Sequence, residues 1–352
     1  MLATIPVTKT TQSRMTAELR DNAAFGAVFS DHMLIADWTA GKWGEPRIVP
    51  YGAQPLPAAP SVAHYGQGIF EGFKAFPRPN GGAVLFRPDA NHARMNKTCQ
   101  RMAMPEVPAS IFVDGSAALV ALDRNWIPEK ANSALYIRPV MFGIGEALGV
   151  KPADTFRFII ETCPSAPYFS GSVDLIAEDV YVRAFPGGTG AAKCGGNYAG
   201  SMLAAIEAQK KGFHNVLWLD GIERKYVEEA GLMNVAFVIK GTVVTPPLGG
   251  TILPGITRDS VLTLLRDLKL PVEERKISID EVFEAHKKGT LQGAAGIGTA
   301  AVIAPIGRLR HKDKEIKLPA MTPDSPLGRA GAELEAIRSG AKPDRHNWLL
   351  SI

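Results

Sequence analysis

The chain has 352 residues, 46% apolar and 21% charged, a globular composition long enough for two domains, since single cores stop growing at roughly 250–300 residues. A net charge of +4 without a dense Lys/Arg stripe gives no footprint for nucleic acid, and three widely spaced cysteines with seven scattered histidines form neither a disulfide framework nor a metal-ligand pattern. No stretch approaches the ~18 continuous apolar residues of a membrane span, and Met1 to Arg20 lacks an apolar signal core, so the expected place is the cytoplasm. Residues up to about Pro60 read as strands and loops. His64–Phe76 (HYGQGIFEGFKAF) suits a short turn of helix leading into a strand. Ala83–Arg87 is a strand. Pro88-Asp89 then opens a helix through about Met104, with Asp89 as N-cap and Arg94 a turn inside. Ala134–Phe142 alternates as a strand carrying Tyr136 and Arg138, and Thr155–Thr162 is another. Cys163–Gly171, rich in Pro, Ser and Gly, is the candidate interdomain linker.

The second half begins with an expected strand, Val180–Phe185. After the 187–198 run a helix ends at Gly212. Val216–Leu219, Tyr226–Glu229 and Met233–Ile239 read as a meander. Lys240-Gly241 makes a two-residue hairpin into Thr242–Thr245. Ile256-Thr257 starts an amphipathic helix, and Ser278 with Glu281 forms a capping box for the next. Gly293–Ala301 contains a nominal G-x-G-x-x-A, but an apolar strand ended by Pro305 follows where a dinucleotide site needs a helix. Leu327–Ser339 is a last helix. Strands in runs, with helices between and after, indicate α+β rather than a regular βαβ array.

Gly187–Tyr198 (GGTGAAKCGGNY) places one Lys among five glycines and two alanines. Glycines let the backbone approach a ligand closely. A desolvated Lys has a lowered pKa and becomes a nucleophile towards carbonyls; the plain alternative is a flexible loop with a solvated Lys. A Walker A loop is excluded by Ala192 and Cys194 on either side of Lys193, and a Rossmann fingerprint by Lys193 itself. Schiff-base chemistry remains. A pyridoxal 5′-phosphate site would need an acid at its ring nitrogen, a donor at its phenolic oxygen, and a cation with helix N–H groups at its phosphate. Glu228 and Glu229, Tyr198, and the helix start at Gly255-Ile256-Thr257 are candidates. Each also has a plain structural reading as a strand residue, a packed aromatic or an N-cap.

HYGQGIFEGFKAF, FRPDANHARM, LYIRPV, GTGAAKCGGNYAGS, VLWLDG, VEEAGLMN, ILPGITRDS and GIGTAAV occur in an order that resembles the branched-chain amino acid aminotransferases, pyridoxal-phosphate enzymes of fold type IV. The resemblance covers about residues 25–350. It implies a two-domain α+β fold, like that of the D-amino acid aminotransferases. The domains would be a small N-terminal one (1–162), an interdomain loop (163–173) and a large cofactor-binding one (174–352). It further implies a homodimer active in amino-acid biosynthesis, moving the amino group between L-leucine, L-isoleucine or L-valine and 2-oxoglutarate by a ping-pong mechanism.

Carried over by position, the resemblance makes Lys193 the Schiff-base lysine and proton shuttle. Glu229 would partner the pyridinium nitrogen, and Tyr198 the phenolic oxygen. Arg94, Ile256, Thr257 and Thr299 would hold the phosphate. Tyr136 and the N–H groups of Thr299 and Ala300 would meet the substrate α-carboxylate. Tyr65, Phe70 and Arg138 would shape the side-chain pocket, with Arg138 and the Tyr65 hydroxyl as donors to a γ-carboxylate. Tyr168 and Phe169 fall on the family's mobile loop. Two departures stand out: Leu232 where some relatives have a hydroxyl residue, and Ala301–Ala304 where some animal relatives carry Cys-x-x-Cys. The competing readings are a D-amino acid transaminase, a non-catalytic pyridoxal-phosphate binder, and a dehydrogenase using 293–301.

Overall fold

A computed structural model describes residues 5–78, 81–130, 133–166, 171–300 and 302–352. Tyr168, Phe169 and Ala301 therefore lie outside the described residues. The chain divides into two compact units. One comprises Met1–Tyr168, Ala192–Gly195 and Arg338–Ile352, the other Phe169–Ala191 and Gly196–Ile337.

The first unit is built on an antiparallel sheet. Its helices are α1 (Ala17–Asn22), α2 (Ser61–Tyr65), α3 (Pro88–Arg101) and α4 (Ala109–Leu122). Its strands are β1 (His32–Thr39), β2 (Lys42–Trp43), β3 (Arg47–Pro50), β4 (Gly68–Phe70), β5 (Phe73–Pro77), β6 (Ala83–Phe86), β7 (Ala134–Gly143) and β8 (Thr155–Ser165). The C-terminal strand Leu349–Ser351 pairs with β6, and the order continues β6-β5-β7-β8-β1-β2, with β3 on β1 and β4 on β7. Alternation along the strands separates two faces. Leu34, Leu135, Ile137, Phe158 and Ile160 pack on one side with Met95, Phe112 and Leu119 of α3 and α4. Met33, Ile35 and Ile159 form a smaller cluster with Val140 and Phe142.

Helix α3 buries Asn91, Arg94, Met95, Thr98 and Cys99, a spacing of three and four that makes one face. It enters differently from the expected cap. Arg87, in the left-handed region at φ 51°, occupies the N-cap position without a side-chain cap, and Pro88 opens the helix. Proline's fixed φ is already helical, so the turn-in happens before Asp89. Asp89 instead lies within the first turn.

The second unit holds β9 (Val173–Glu178), α5 (Gly195–Ala199, its first residue in the other unit), α6 (Met202–Lys210), β10 (Asn215–Leu219), β11 (Val227–Ala230), β12 (Met233–Ile239) and β13 (Thr242–Thr245). It continues with α7 (Ile256–Asp267), β14 (Val272–Glu274), α8 (Ile279–Lys287), β15 (Leu291–Gly298), β16 (Val302–His311), β17 (Lys314–Lys317) and α9 (Pro326–Ser339, its last two residues in the other unit). The sheet runs β11-β10-β9-β16-β15-β12-β13-β14, with β17 on β16. A further β11–β12 pairing closes β11, β10, β9, β16, β15 and β12 into a ring. Val235, Phe237, Leu217 and Ala230 pack there with Ile279 and Val282 of α8.

Local signals account for several of these boundaries. Lys240 and Gly241 both take positive φ, 50° and 79°, as a type I′ hairpin requires. Ser278 accepts the Glu281 N–H, and Gly212, at φ 79°, lies just past α6 and its C-cap Lys211.

Two expected strands are corrected. Val180–Phe185 is irregular, because the Val180 and Tyr181 N–H groups turn back onto Glu178 Oε1 at 2.7 and 3.0 Å. The strand after residue 301 does not stop at Pro305 but runs to His311. Pro305 is tolerated because it faces Ala295 of β15 before pairing with β9 begins at Ile306, so its missing N–H breaks no second ladder.

Candidate active site

In the first unit the site grows from β4. The Phe70 N–H donates to the Lys193 carbonyl at 3.0 Å, Ile69 bridges Cys194, and the Lys193 N–H donates to Thr98 Oγ1 at 3.1 Å. The glycine-rich run is thus pinned at Lys193 by strand-like pairing and by α3, instead of hanging as a free loop. Lys193 Nζ lies 4.8 Å above the Phe70 ring. Its side chain is only partly exposed. Burial, and next the Arg94 cation, lower its pKa from 10.5 to about 8, the direction a nucleophilic amine needs.

Arg94 reaches the same region from α3. Its Nε and Nη2 grip Glu71 Oε1 and Oε2 at 2.7 and 2.8 Å, and Glu71 is fully buried. The pair is a fork-on-carboxylate contact that fixes the plane of the guanidinium. Glu71 was not singled out from sequence. The available signal was an acid inside an otherwise apolar G-I-F-E-G-F stretch, a buried charge in search of a partner.

On β7, Arg138 Nη2 donates to Tyr136 Oη at 3.1 Å, and its guanidinium stands 4.6 Å over Phe70. Arg138 Nε is buried without a hydrogen-bond partner among the described residues. Tyr136 packs edge-on against Phe25. Gly72 makes room for it: a Cβ at Gly72 would lie 1.8 Å from Tyr136 Oη. Lys193, Arg94, Phe70, Tyr136 and Arg138 therefore belong to one neighbourhood. Tyr65 departs from expectation. Its hydroxyl donates to the Leu148 carbonyl, so it is committed to the 145–154 loop rather than held ready as a rim donor.

In the second unit a small cavity is lined by Tyr198, Glu229, Arg183, Trp218, Leu232 and Leu253, among others. Glu229, 3% exposed, takes Arg183 Nε on Oε2 at 2.8 Å and the Leu253 N–H on Oε1 at 2.7 Å. Neighbouring Glu228 does not line this cavity. The pairing shifts between Trp218↔Glu229 and Leu219↔Val227, so Glu228 is the extra residue of a bulge, and the simple alternation assumed for a regular strand does not hold here. Burial pushes its carboxyl up, and Thr251 Oγ1 donates to its Oε1. Leu232 lies exposed at the cavity edge and puts an apolar side chain there.

Helix α7 starts at Ile256 after Gly255, which offers no side-chain cap, and both Ile256 and Thr257 are buried. Asn234 Nδ2 holds the Leu253 carbonyl at 2.9 Å, fixing the approach to that helix N-terminus. A helix start with backbone N–H groups facing outward along the axis favours a phosphate. Thr299 and Ala300 lie in the turn between β15 and β16. Among the described residues no cluster of His, Cys, Asp and Glu suits a metal, and no helix is long and apolar enough to cross a membrane.

Residues 68–308 match the family model described as Amino-transferase class IV. The chain is 45% identical over 336 residues to a probable branched-chain-amino-acid aminotransferase of Staphylococcus epidermidis, covering 94% of each. Among solved structures it is similar to the branched-chain aminotransferase of Thermoproteus uzoniensis solved with norvaline. There the TM-score is 0.74 at 23% identity, covering 90% of this chain and 99% of that one. The branched-chain amino acid aminotransferase of Thermobaculum terrenum, solved in its PLP form, gives a TM-score of 0.73 at 22% identity, covering 91% and 98%. The chain belongs to the class IV aminotransferases, and within them to the branched-chain-amino-acid aminotransferases of fold type IV.

Proposed function

We propose that the protein transfers the amino group between L-leucine, L-isoleucine or L-valine and 2-oxoglutarate by a ping-pong route, with pyridoxal 5′-phosphate as cofactor and Lys193 as its covalent anchor. The observation that carries this reading is Lys193, its backbone held by the Phe70 N–H and by Thr98 Oγ1 and the pKa of its amine lowered to about 8. The donor set fits the cofactor's groups: a buried, doubly bonded carboxylate at Glu229, a phenol at Tyr198, a helix start at Ile256-Thr257 and a fixed guanidinium at Arg94. When bound, the cofactor supplies an electron sink that acidifies the substrate Cα–H.

The chain's own residues do the rest. Lys193 Nζ would be the group that takes up and gives back the proton at the substrate Cα, a two-way task suited to a pKa near the working pH. Glu229 keeps a proton on the ring nitrogen, and Tyr198 donates to the phenolic oxygen. Arg94, with Ile256, Thr257 and Thr299, neutralises the phosphate. Tyr136 and the N–H groups of Thr299 and Ala300 orient the α-carboxylate. Phe70 and Tyr65 wall the side-chain pocket, and Arg138 meets the γ-carboxylate when glutamate occupies it.

A homodimer in the cytoplasm belongs to the same proposal. The dimer is supported by Met202, Leu203 and Ile206, which leave an exposed apolar stripe on α6, since such stripes mark contact surfaces. A donor panel with 2-oxoglutarate tests the activity. L-Leu, L-Ile, L-Val and L-Glu are expected to serve, L-Asp and L-Ala poorly, and D-amino acids not at all. A preference for D-enantiomers would overturn the reading.

A further inference from the structure

Arg183 lies in the irregular segment between β9 and the glycine-rich run, and its side chain is almost fully buried. Its Nε pairs with Glu229 Oε2 at 2.8 Å. Its Nη1 donates to the Thr251 carbonyl at 2.6 Å and to the Gly190 carbonyl at 3.2 Å, and Nη2 reaches Gly190 O at 3.3 Å. One guanidinium thus ties together the run that leads to Lys193, the segment 251–255 that leads to α7, and the acid on β11. The approach is close: a Cβ at Gly190 would sit 2.3 Å from the Thr251 carbonyl oxygen.

We propose that Arg183 is a positioning residue for the cofactor's ring: it holds the Glu229 carboxylate as an oriented anion and so keeps the proton on the ring nitrogen. This rests on the reading that Glu229 meets that nitrogen.

Guanidinium stays charged at every relevant pH. A proton shared between Glu229 and the ring nitrogen has two resting places. With a fixed cation against the carboxylate, the place farther from Arg183, on the ring, is favoured. Leu253 N–H on the second oxygen adds to this by bonding the charged form. Glu228 is not bonded to the guanidinium: its Oε1 accepts from Thr251 Oγ1 and its Oε2 has no partner among the described residues, while burial pushes its carboxyl up and the charge of Arg183 works against that rise.

The test uses holoenzyme reconstituted with pyridoxal 5′-phosphate labelled with 15N in the ring, whose nitrogen shift separates pyridinium from pyridine. The unmutated protein, Glu229→Gln, Arg183→Met and Arg183→Lys are titrated with pH. The pyridinium signal should persist in the unmutated protein and vanish in Glu229→Gln. In Arg183→Met the shared proton should move from the ring towards Glu229, so the pyridinium share of the ring signal, read at a pH below the loss of that proton, should fall by about tenfold relative to pyridine. Arg183→Lys keeps the charge but loses the fork, and its pyridinium share should fall by less. If Arg183→Met does not fold, the Lys variant decides. A pyridinium share unchanged in the Arg183 variants, with the signal lost in Glu229→Gln, overturns the role of Arg183 alone. A pyridinium that survives Glu229→Gln overturns the placement of Glu229, and the inference with it.

Discussion

Glu71 and Arg94 form a forked ion pair, 2.7 and 2.8 Å across its two bonds, in which Glu71 has no exposed surface. Its value lies in orientation more than in net stability, because desolvating two charges offsets most of their attraction. Breaking it is another matter. Glu71→Ala would take the carboxylate away from a buried guanidinium, and should cost about 3–5 kcal/mol in chemical unfolding. Glu71→Gln keeps the shape but not the charge. It should loosen cofactor binding through a mis-set Arg94 with a smaller stability loss. Urea titration and cofactor fluorescence quenching check both, and two variants indistinguishable from the unmutated protein would contradict the role.

Gly72 carries the second prediction. A methyl there collides with the Tyr136 hydroxyl, and would also stand 2.6 Å from its Cζ. Overpacking of this kind typically costs about 1–3 kcal/mol. Gly72→Ala should lower kcat/KM with leucine and glutamate alike, since Tyr136 is proposed to orient the α-carboxylate common to both. Adding Tyr136→Phe removes the hydroxyl but not the ring, so stability should return only in part. Full activity in Gly72→Ala would show that Tyr136 has room the packing denies it.

The pH dependence of cofactor capture follows from Lys193. Burial is the main cause of its lowered pKa and Arg94 the next, so the ammonium form is the one penalised in the folded chain. The free amine therefore dominates above about pH 8 instead of above the ordinary 10.5. Covalent uptake of pyridoxal phosphate by the cofactor-free protein should rise with pH to a plateau with its midpoint near 8. Arg94→Met removes one lowering cause and should move that midpoint upward. Stopped-flow absorbance reads both, and a midpoint already near 10.5 in the unmutated protein would contradict the desolvated amine.

Substrate choice turns on Arg138. With the Tyr65 hydroxyl committed to Leu148, Arg138 is left as the proposed donor to a γ-carboxylate, stacked over Phe70 where an aliphatic side chain would also pass. An apolar pocket discriminates by only about 1–3 kcal/mol per methylene, whereas losing a partner for a buried charge costs more. Arg138→Met should depress kcat/KM for glutamate well beyond that for leucine. Equal losses would mean that Arg138 acts through Tyr136, to which it also donates.

Local chemistry made much of this architecture readable before any coordinates. The Lys240-Gly241 hairpin, the Ser278 cap and the start of α7 each rest on residues a few positions apart. Helix α4 was missed because Ala109–Leu122 is apolar nearly all round and shows no clean period. Val180–Phe185 misled because its Val, Tyr and Phe residues favour a strand while the Val180 and Tyr181 N–H groups are claimed by Glu178. At the site, Lys193 announced itself through its glycines. Glu71 and Arg183 did not, since a buried charge is explained only by its partner, and theirs lie on other segments: Arg94 on α3, and Thr251 some 68 residues along the chain.

The most direct measurement is to reduce the reconstituted protein with borohydride, digest it and find the phosphopyridoxyl group by mass spectrometry. The predicted result is a single modified lysine, Lys193, with Lys193→Ala folded, unlabelled and without transaminase activity. A label on another lysine, or covalent cofactor and turnover retained in Lys193→Ala, would contradict the assignment.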